Sequence, residues 1–409
     1  MNIKKHASIL ENSISLFSLK AINLGLSLWL IPFLILRVGL HNYGLYAFAM
    51  SLILFFVNLL NYGFNLATVR EIAKIKGDRS RLQSIFNEIL SVKLVLFVGL
   101  FFLFLMLVFL VPKFEEQKTL YLFSSLLLFG DLFSLRWFFM GLEKMKYIAL
   151  IHLLGTVIFV LLVIQFVNFH EDYSRIPLYE GIGMSISTIV SFVWVIKVYK
   201  IKIKLISLSA IYSYLRQNFS SFINLLLPST YGISIVFLVG VFGLPYQVSL
   251  MQIGVKFTAA FSTANNILTN VFYPIVNRRK TAMFSTRSIL LGVGIMLSSS
   301  MYIFADYLIS NWLTFENSTE LENTVKIIEI LSPIPFLMAL ISAYGVNGLL
   351  TDYKDKLFSA ITLVSTLSMV ISACYLIPEY PIFGGAISFL IGRFIYAGAS
   401  YYFFKKQKI

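Results

Sequence analysis

The chain has 409 residues, 58% of them hydrophobic and only 13% charged, with a mean hydropathy of +0.83 and a formal net charge of +14. A soluble chain carries about 25% charged residues, and 39 phenylalanines with 22 tyrosines are more than one water-soluble core can hide. These figures argue against a cytosolic enzyme, a disordered scaffold and a disulfide-stapled secreted domain. The single Cys374 allows no intramolecular disulfide and no CxxC metal site, and His6, His41, His152 and His170 never stand four apart. Neither a metal site nor a cofactor is therefore expected.

A hydrocarbon core of about 30 Å needs roughly 20 apolar residues per helical crossing. Twelve such stretches, bounded by charge, Pro, Gly or Asn, follow one another along the chain. The first six are 13–36, 44–66, 89–111, 119–141, 147–169 and 177–199. The second six are 220–242, 250–276, 288–310, 324–346, 357–378 and 382–404. Strands of a membrane β-barrel would be about ten residues long with alternating polarity, and that pattern is missing. The expected fold is an all-α integral membrane protein of twelve transmembrane helices. Lys4 and Lys5 precede the first stretch as in a signal peptide, but Lys20 inside it and the lack of a small-residue cleavage site read as a retained crossing.

With the N-terminus inside, 23 of the 33 Lys and Arg fall on the cytoplasmic side and only five on the other face. That asymmetry places both termini in the cytoplasm. Because the charges alternate with crossings and form no continuous stripe, they report topology, and nucleic acid is not the expected partner. The longest segments outside the membrane are 67–88 and 200–219, both too short to fold alone. The work is done within the bilayer.

The 200–219 segment divides the chain into six plus six crossings, giving an N-terminal lobe over 1–205 and a C-terminal lobe over 206–409. A shift of 204 residues carries Gly39-Leu40 onto Gly243-Leu244, and Asn61 onto Asn265. Two bundles related in this way suit alternating access. Prolines at 32, 228, 274, 333 and 335 break the helical ladder locally, either as ordinary kinks or as bends used in gating.

Five cations lie inside expected crossings: Lys20, Lys93, Arg136, Lys256 and Arg393. Lys93 and Arg136 stand about one turn from the cytoplasmic ends and are expected to snorkel to the headgroups. Lys20 and Lys256 lie nearly two turns inside, where facing a polar cavity is the better solution. Arg393 is near the centre of the last crossing, where it either faces that cavity or pairs with an acid. Asp131 is the one deep carboxylate, and its spacing of five from Arg136 does not put the two on one helix face. The interior is thus net positive, which suits an anion such as phosphate or pyrophosphate. A carrier of cationic drugs would favour the opposite sign. Asn23, Asn58, Asn61, Asn265, Asn266, Asn270 and Trp29 offer hydrogen bonds and flat faces for sugars, or else helix–helix contacts.

The chain contains no GxxxxGK[ST] loop and no Gly-Lys pair, so it is not a P-loop ATPase. An enzyme joining or polymerising sugars would want acids or His on an outer loop. The best such group, His170-Glu171-Asp172, sits in a loop of about eight residues and reads as a solvated turn. No catalytic residues are expected.

RVGLHNYGLYAFA (37–49) resembles the signature joining the first two helices of polysaccharide transporters. NYGFNLATVREIAK (61–74) and WFFMGLEKMKYIAL (137–150) resemble the cytoplasmic ends of their second and fourth helices. QIGVKFTAAF (252–261) and VFYPIVNRRK (271–280) resemble the eighth helix and its exit. With twelve crossings, the chain is similar over nearly its whole length to the O-antigen flippases of the multidrug/oligosaccharidyl-lipid/polysaccharide exporter superfamily. The resemblance implies two six-helix lobes around a central cationic cavity lined by the first, second, seventh and eighth helices. It implies movement of undecaprenyl-pyrophosphate-linked oligosaccharide across the bacterial inner membrane, with membrane lipids and other polysaccharide assembly proteins as partners. Lys20 and Lys256 would hold the phosphates, Arg393 and Arg136 would be secondary cations, and Asp131 would serve ion coupling. The alternatives are a cation-coupled multidrug exporter of the same superfamily, or a membrane polysaccharide polymerase or glycosyltransferase.

Overall fold

A backbone in hydrocarbon must satisfy its own hydrogen bonds, and the apolar stretches do so as helices. The structure is a computed structural model that describes the backbone of residues 2–75, 78–278, 283–352 and 354–406. Side chains are described there except at 2–21, 23, 24, 27, 66, 67, 220, 224, 274, 275, 277 and 278. The described residues are helical throughout, apart from short connections, and include no strand.

Helix α1 (Asn2–Leu60) carries the first two expected crossings and is interrupted at Gly39, where φ is 79° and ψ 160°. Only glycine adopts that region without strain. The turn 61–63 follows, with Gly63 at φ 78°, and a Cβ there would lie 2.9 Å from the backbone nitrogen of Phe222. Helix α2 (Phe64–Lys74) takes up the start of the basic 67–88 stretch. Helix α3 (Arg79–Leu110) is capped by Asp78, whose Oδ1 accepts from the Ser80 and Arg81 amides, the usual remedy for orphan N–H groups. Then come α4 (Pro112–Glu115), α5 (Lys118–Leu132), α6 (Arg136–Gly141), α7 (Met145–Phe166), a 3-10 turn (His170–Arg175) and α8 (Ile176–Tyr199). The expected fourth crossing is therefore two helices with a break at 133–135.

The second half runs through α9 (Leu208–Phe242), α10 (Pro245–Arg278), α11 (Met283–Ile303), α12 (Ala305–Trp312), α13 (Ser318–Leu331) and α14 (Ile334–Leu340). A π-helical segment (Ile341–Leu349), a 3-10 turn (Leu350–Asp352), α15 (Asp355–Glu379) and α16 (Gly384–Lys406) complete it. Pro333 and Pro335 stand at the start of α14, where a missing N–H does no harm. Pro32 and Pro228 lie inside α1 and α9.

Nine stretches of the described residues are long and apolar enough to cross a membrane. The protein is an all-α integral membrane protein. Helices α10 and α16 are as long but are not among the nine. Their sequences explain it: α10 carries Thr258, Ser262, Asn265, Asn266, Thr269 and Asn270, and α16 carries Arg393. Outward-facing apolar side chains such as Phe102 (66% exposed), Phe166 (50%), Ile371 (70%) and Phe394 (67%) suit contact with acyl chains.

Two compact units emerge from the packing. One comprises Met1–Leu30, Arg37–Asn42 and Ala49–Thr230, and the other Ile31–Leu36, Tyr43–Phe48 and Tyr231–Ile409. In the first, Phe86 meets the rings of Trp137, Phe138 and Phe192 at 5.7–6.0 Å between centroids. The connection after α8 is held to α3: Asn87 donates to the Lys202 carbonyl and accepts from the Lys204 amide, and Ser91 accepts from the Ile206 amide. Tyr214 shares a hydrogen bond with Thr68, and burial pushes its phenol well up from the ordinary value. In the second unit, a core gathers Val276, Ile341, Tyr396 and Phe404.

Candidate functional site

In the break between α5 and α6 the regular helical ladder stops, and the Asp131 carbonyl, which accepts from the Ser134 amide at 2.9 Å, keeps a lone pair for a further donor. Lys93, 1% exposed, reaches in from α3. Its Nζ donates to the Asp131 carbonyl at 2.6 Å, the Asp131 carboxylate at 3.3 Å and the Ser134 carbonyl at 3.4 Å. A cation suits this end of α5, and the carboxylate neutralises it. Asn61, from the turn after α1, donates to the same carboxylate oxygen at 2.9 Å. Snorkelling of Lys93 to the headgroups is therefore not what happens. The broken helix and a neighbouring acid turn the ammonium inward by giving it three oxygen partners, two carbonyls and one carboxylate oxygen. Arg136, the first residue of α6, is not Asp131's partner; it is exposed and lines a cavity inside its own unit.

The second unit repeats the pattern without charge. Asn265 on α10 is fully buried, and its Nδ2 donates to the Pro335 carbonyl at 2.8 Å. The Asn61–Asp131 and Asn265–Pro335 pairs each span 70 residues, and both members are related by the 204-residue shift. Ser298 of α11 accepts from the Phe336 amide at 2.9 Å. It stands close to the position that the same shift assigns to Lys93. The match of Asn61 with Asn265 was legible in the sequence, whereas their partners were not.

The remaining cations fare differently. Lys256 on α10 is exposed. The ion pairs Arg81–Glu71, Lys93–Asp131 and Arg175–Asp172 do not take up Lys256, Arg136 or Arg393. Lys20 lies outside the described side chains. Arg393 stacks its guanidinium over the ring of Tyr231 at 4.1 Å and near that of Phe389 at 5.3 Å. Such contacts stabilise a cation through the ring's negative face. Around it the Arg393 Nε, the Tyr231 hydroxyl and the Ser388 hydroxyl are buried without a protein partner. Glycine at 392 makes the seat possible, because a Cβ there would overlap the Tyr231 hydroxyl. Sequence reasoning missed Tyr231 and Phe389; the one available signal was the lack of any acid near Arg393 in the chain.

The His170-Glu171-Asp172 group forms the 3-10 turn. Asp172 accepts from the Asn168 and Phe169 amides and pairs with Arg175 at 3.3 Å, so its carboxylate is spent on holding the turn.

Residues 9–280 match the family described as "Polysaccharide biosynthesis protein". The chain belongs to that family. It is 26% identical to the "Putative O-antigen transporter" of Escherichia coli (strain K12), over 100% of this chain and 99% of that protein. In fold it is similar to the lipid II flippase MurJ in an inward closed conformation, with a TM-score of 0.70, 17% identity, and 97% of this chain and 87% of that one covered. An inward-facing multidrug resistance MATE family transporter of the MOP superfamily gives a TM-score of 0.67 and 14% identity, covering 93% of this chain and 94% of that one. This member of the family is thus a multi-pass membrane protein with the fold of the MOP superfamily transporters. Its curated relatives are named as transporters, not as enzymes.

Proposed function

We propose that this family member is a flippase that moves undecaprenyl-pyrophosphate-linked oligosaccharide, an O-antigen repeat unit, across the bacterial inner membrane. It works by alternating access through a cationic cavity. The proposed lobes are residues 1–205 and 206–409, with both termini cytoplasmic. The observation that carries this reading is the excess of intramembrane cations over acids: Asp131 is neutralised by Lys93, while Lys256 and Arg393 stand outside every ion pair of the described residues. An anionic headgroup supplies the missing negative charge.

In this reading Lys20 and Lys256 grip the pyrophosphate, and Arg393 and Arg136 act as secondary cations. Asp131 is the group for ion coupling, since protonating it would release Lys93. Membrane lipids and other polysaccharide assembly proteins are its partners. The test is complementation of a flippase-null strain. Lys20→Ala and Lys256→Ala are expected to insert normally and to abolish surface O-antigen. Full complementation by both variants removes the pyrophosphate grip. Resistance to cationic dyes that persists without polyprenol-sugar synthesis would instead mark a multidrug exporter.

A further inference from the structure

Inside the first unit a cavity of about 200 Å³ opens where α5, α6, α7 and α8 meet. Its walls differ along its length. Phe139, Ile148, Ile151 and Phe159 make an apolar side, while Arg136, His152 and Ser191 supply polar groups. Arg136 lies five residues before the end of α6, His152 seven after the start of α7 and Ser191 eight before the end of α8. At 1.5 Å per residue all three stand roughly 8–12 Å from helix ends on the same side of the bundle. Glu180, also on the wall, lies about 16 Å further along α8, so the cavity is elongated along the bundle.

Two observations point to a ligand at the polar end. Ser191 is 5% exposed, and its hydroxyl has no protein partner. Arg136 carries a charge that nothing described neutralises, because Lys93 and Asp131 cancel each other. His152 is hydrogen-bonded to Thr156 at 3.1 Å and offers no counter-charge. An exposed guanidinium this close to the helix end gains from a counter-anion, and its planar fork of donors matches a phosphate.

We propose that the cavity is a binding site for an acidic phospholipid of the surrounding bilayer. The phosphate takes hydrogen bonds from Arg136 and from the Ser191 hydroxyl, and one acyl chain lies along Phe139, Ile148, Ile151 and Phe159. Charge complementarity selects the head, and the apolar wall selects a lipid over a free anion, which would leave that wall in contact with water. The occupant is a standing component of the folded unit, and it takes up Arg136 in place of the secondary contact with cargo that the reading above gave this residue.

The test uses the full chain in nanodiscs of phosphatidylcholine with a minor fraction of phosphatidylglycerol, reading retained lipid by native mass spectrometry. Wild-type protein is expected to retain phosphatidylglycerol about tenfold over phosphatidylcholine, and Arg136→Gln to erase that preference. Arg136→Lys should keep part of it, and Lys405→Gln, on α16, all of it. Ile151→Trp, which fills the apolar side and leaves Arg136 in place, should lower retention as well, and it serves if Arg136→Gln does not fold. Equal retention by wild type and both crevice variants overturns the proposal. Displacement of the lipid by inorganic phosphate alone also overturns it, as does displacement by equimolar undecaprenyl pyrophosphate, which would make the cavity a substrate site. Retention is read on protein at rest, so its failure is separable from loss of surface O-antigen in the Lys20 and Lys256 variants.

Discussion

In the first unit Asn61 reaches Asp131, 70 residues on; in the second Asn265 reaches Pro335, again 70 residues on. One frame serves both halves, yet it is filled with different chemistry. The first unit places a carboxylate at the junction and must bring in Lys93 to neutralise it. The second uses a backbone carbonyl and needs no charge. Of the buried polar side-chain atoms without a hydrogen-bond partner among the described residues, only the Ser191 hydroxyl belongs to the first unit. The second holds the Asn265 Oδ1, the Arg393 Nε, the Asn347 amide and the hydroxyls of Tyr231, Ser262, Ser388 and Ser400. The first unit uses its polar groups to hold itself together, and the second keeps several uncommitted. Because an unpaired polar group at membrane depth is costly, the uncommitted set marks where polar ligand atoms are most welcome.

This contrast can be broken, and the largest effect should come from Lys93→Met. Removing it strands the Asp131 carboxylate and should cost about 3–5 kcal/mol, read as a lowered unfolding midpoint in detergent. The double variant Lys93→Met, Asp131→Leu should recover most of that loss, since an apolar pair of similar volume is often tolerated. If the double variant is no better than the single one, the pair is not an isolated neutralised dyad. Asn61→Ala should come next, at about 2 kcal/mol, because its bond goes to an ionised oxygen. Asn265→Ala should cost about 1 kcal/mol, a neutral bond's worth. Equal costs for the two asparagines would mean that the charge at the first junction adds nothing. The smallest effect is expected from Arg393→Met. Loss of a cation–π contact worth about 1–2 kcal/mol is offset by relief of a buried charge. Stability should therefore barely move while O-antigen export falls; a large drop in the unfolding midpoint would make Arg393 a structural residue.

Much of this was legible from the chain. Long apolar runs fix helices because hydrocarbon permits little else, and the place of each basic residue within its run gave its distance from the end of that run. Depth alone, however, does not reveal a partner. Lys93 lies 38 residues from Asp131, on another helix, and its inward turn depends on a break at 133–135 that the apolar run 119–141 conceals. The spacing of Asp131 and Arg136 correctly separated them but offered no third party. The Asn61–Asn265 correspondence survives in sequence because both side chains meet the same geometric need. Pro335 and Asp131 share no chemistry a sequence comparison would notice, since one contributes a carbonyl and the other a carboxylate. The ring beneath Arg393 comes from α9, and nothing in the order of residues announces a stacking so distant along the chain.

Position 392 shows how such a contact is maintained. The Tyr231 hydroxyl occupies the volume that any other residue would fill with its first carbon. The guanidinium next door is therefore held in place by an omission: a single methyl, chemically inert and uncharged, would lift the ring from beneath Arg393. A basic residue deep in a membrane can thus be silenced without being touched, and the most damaging change near it need involve no charge at all.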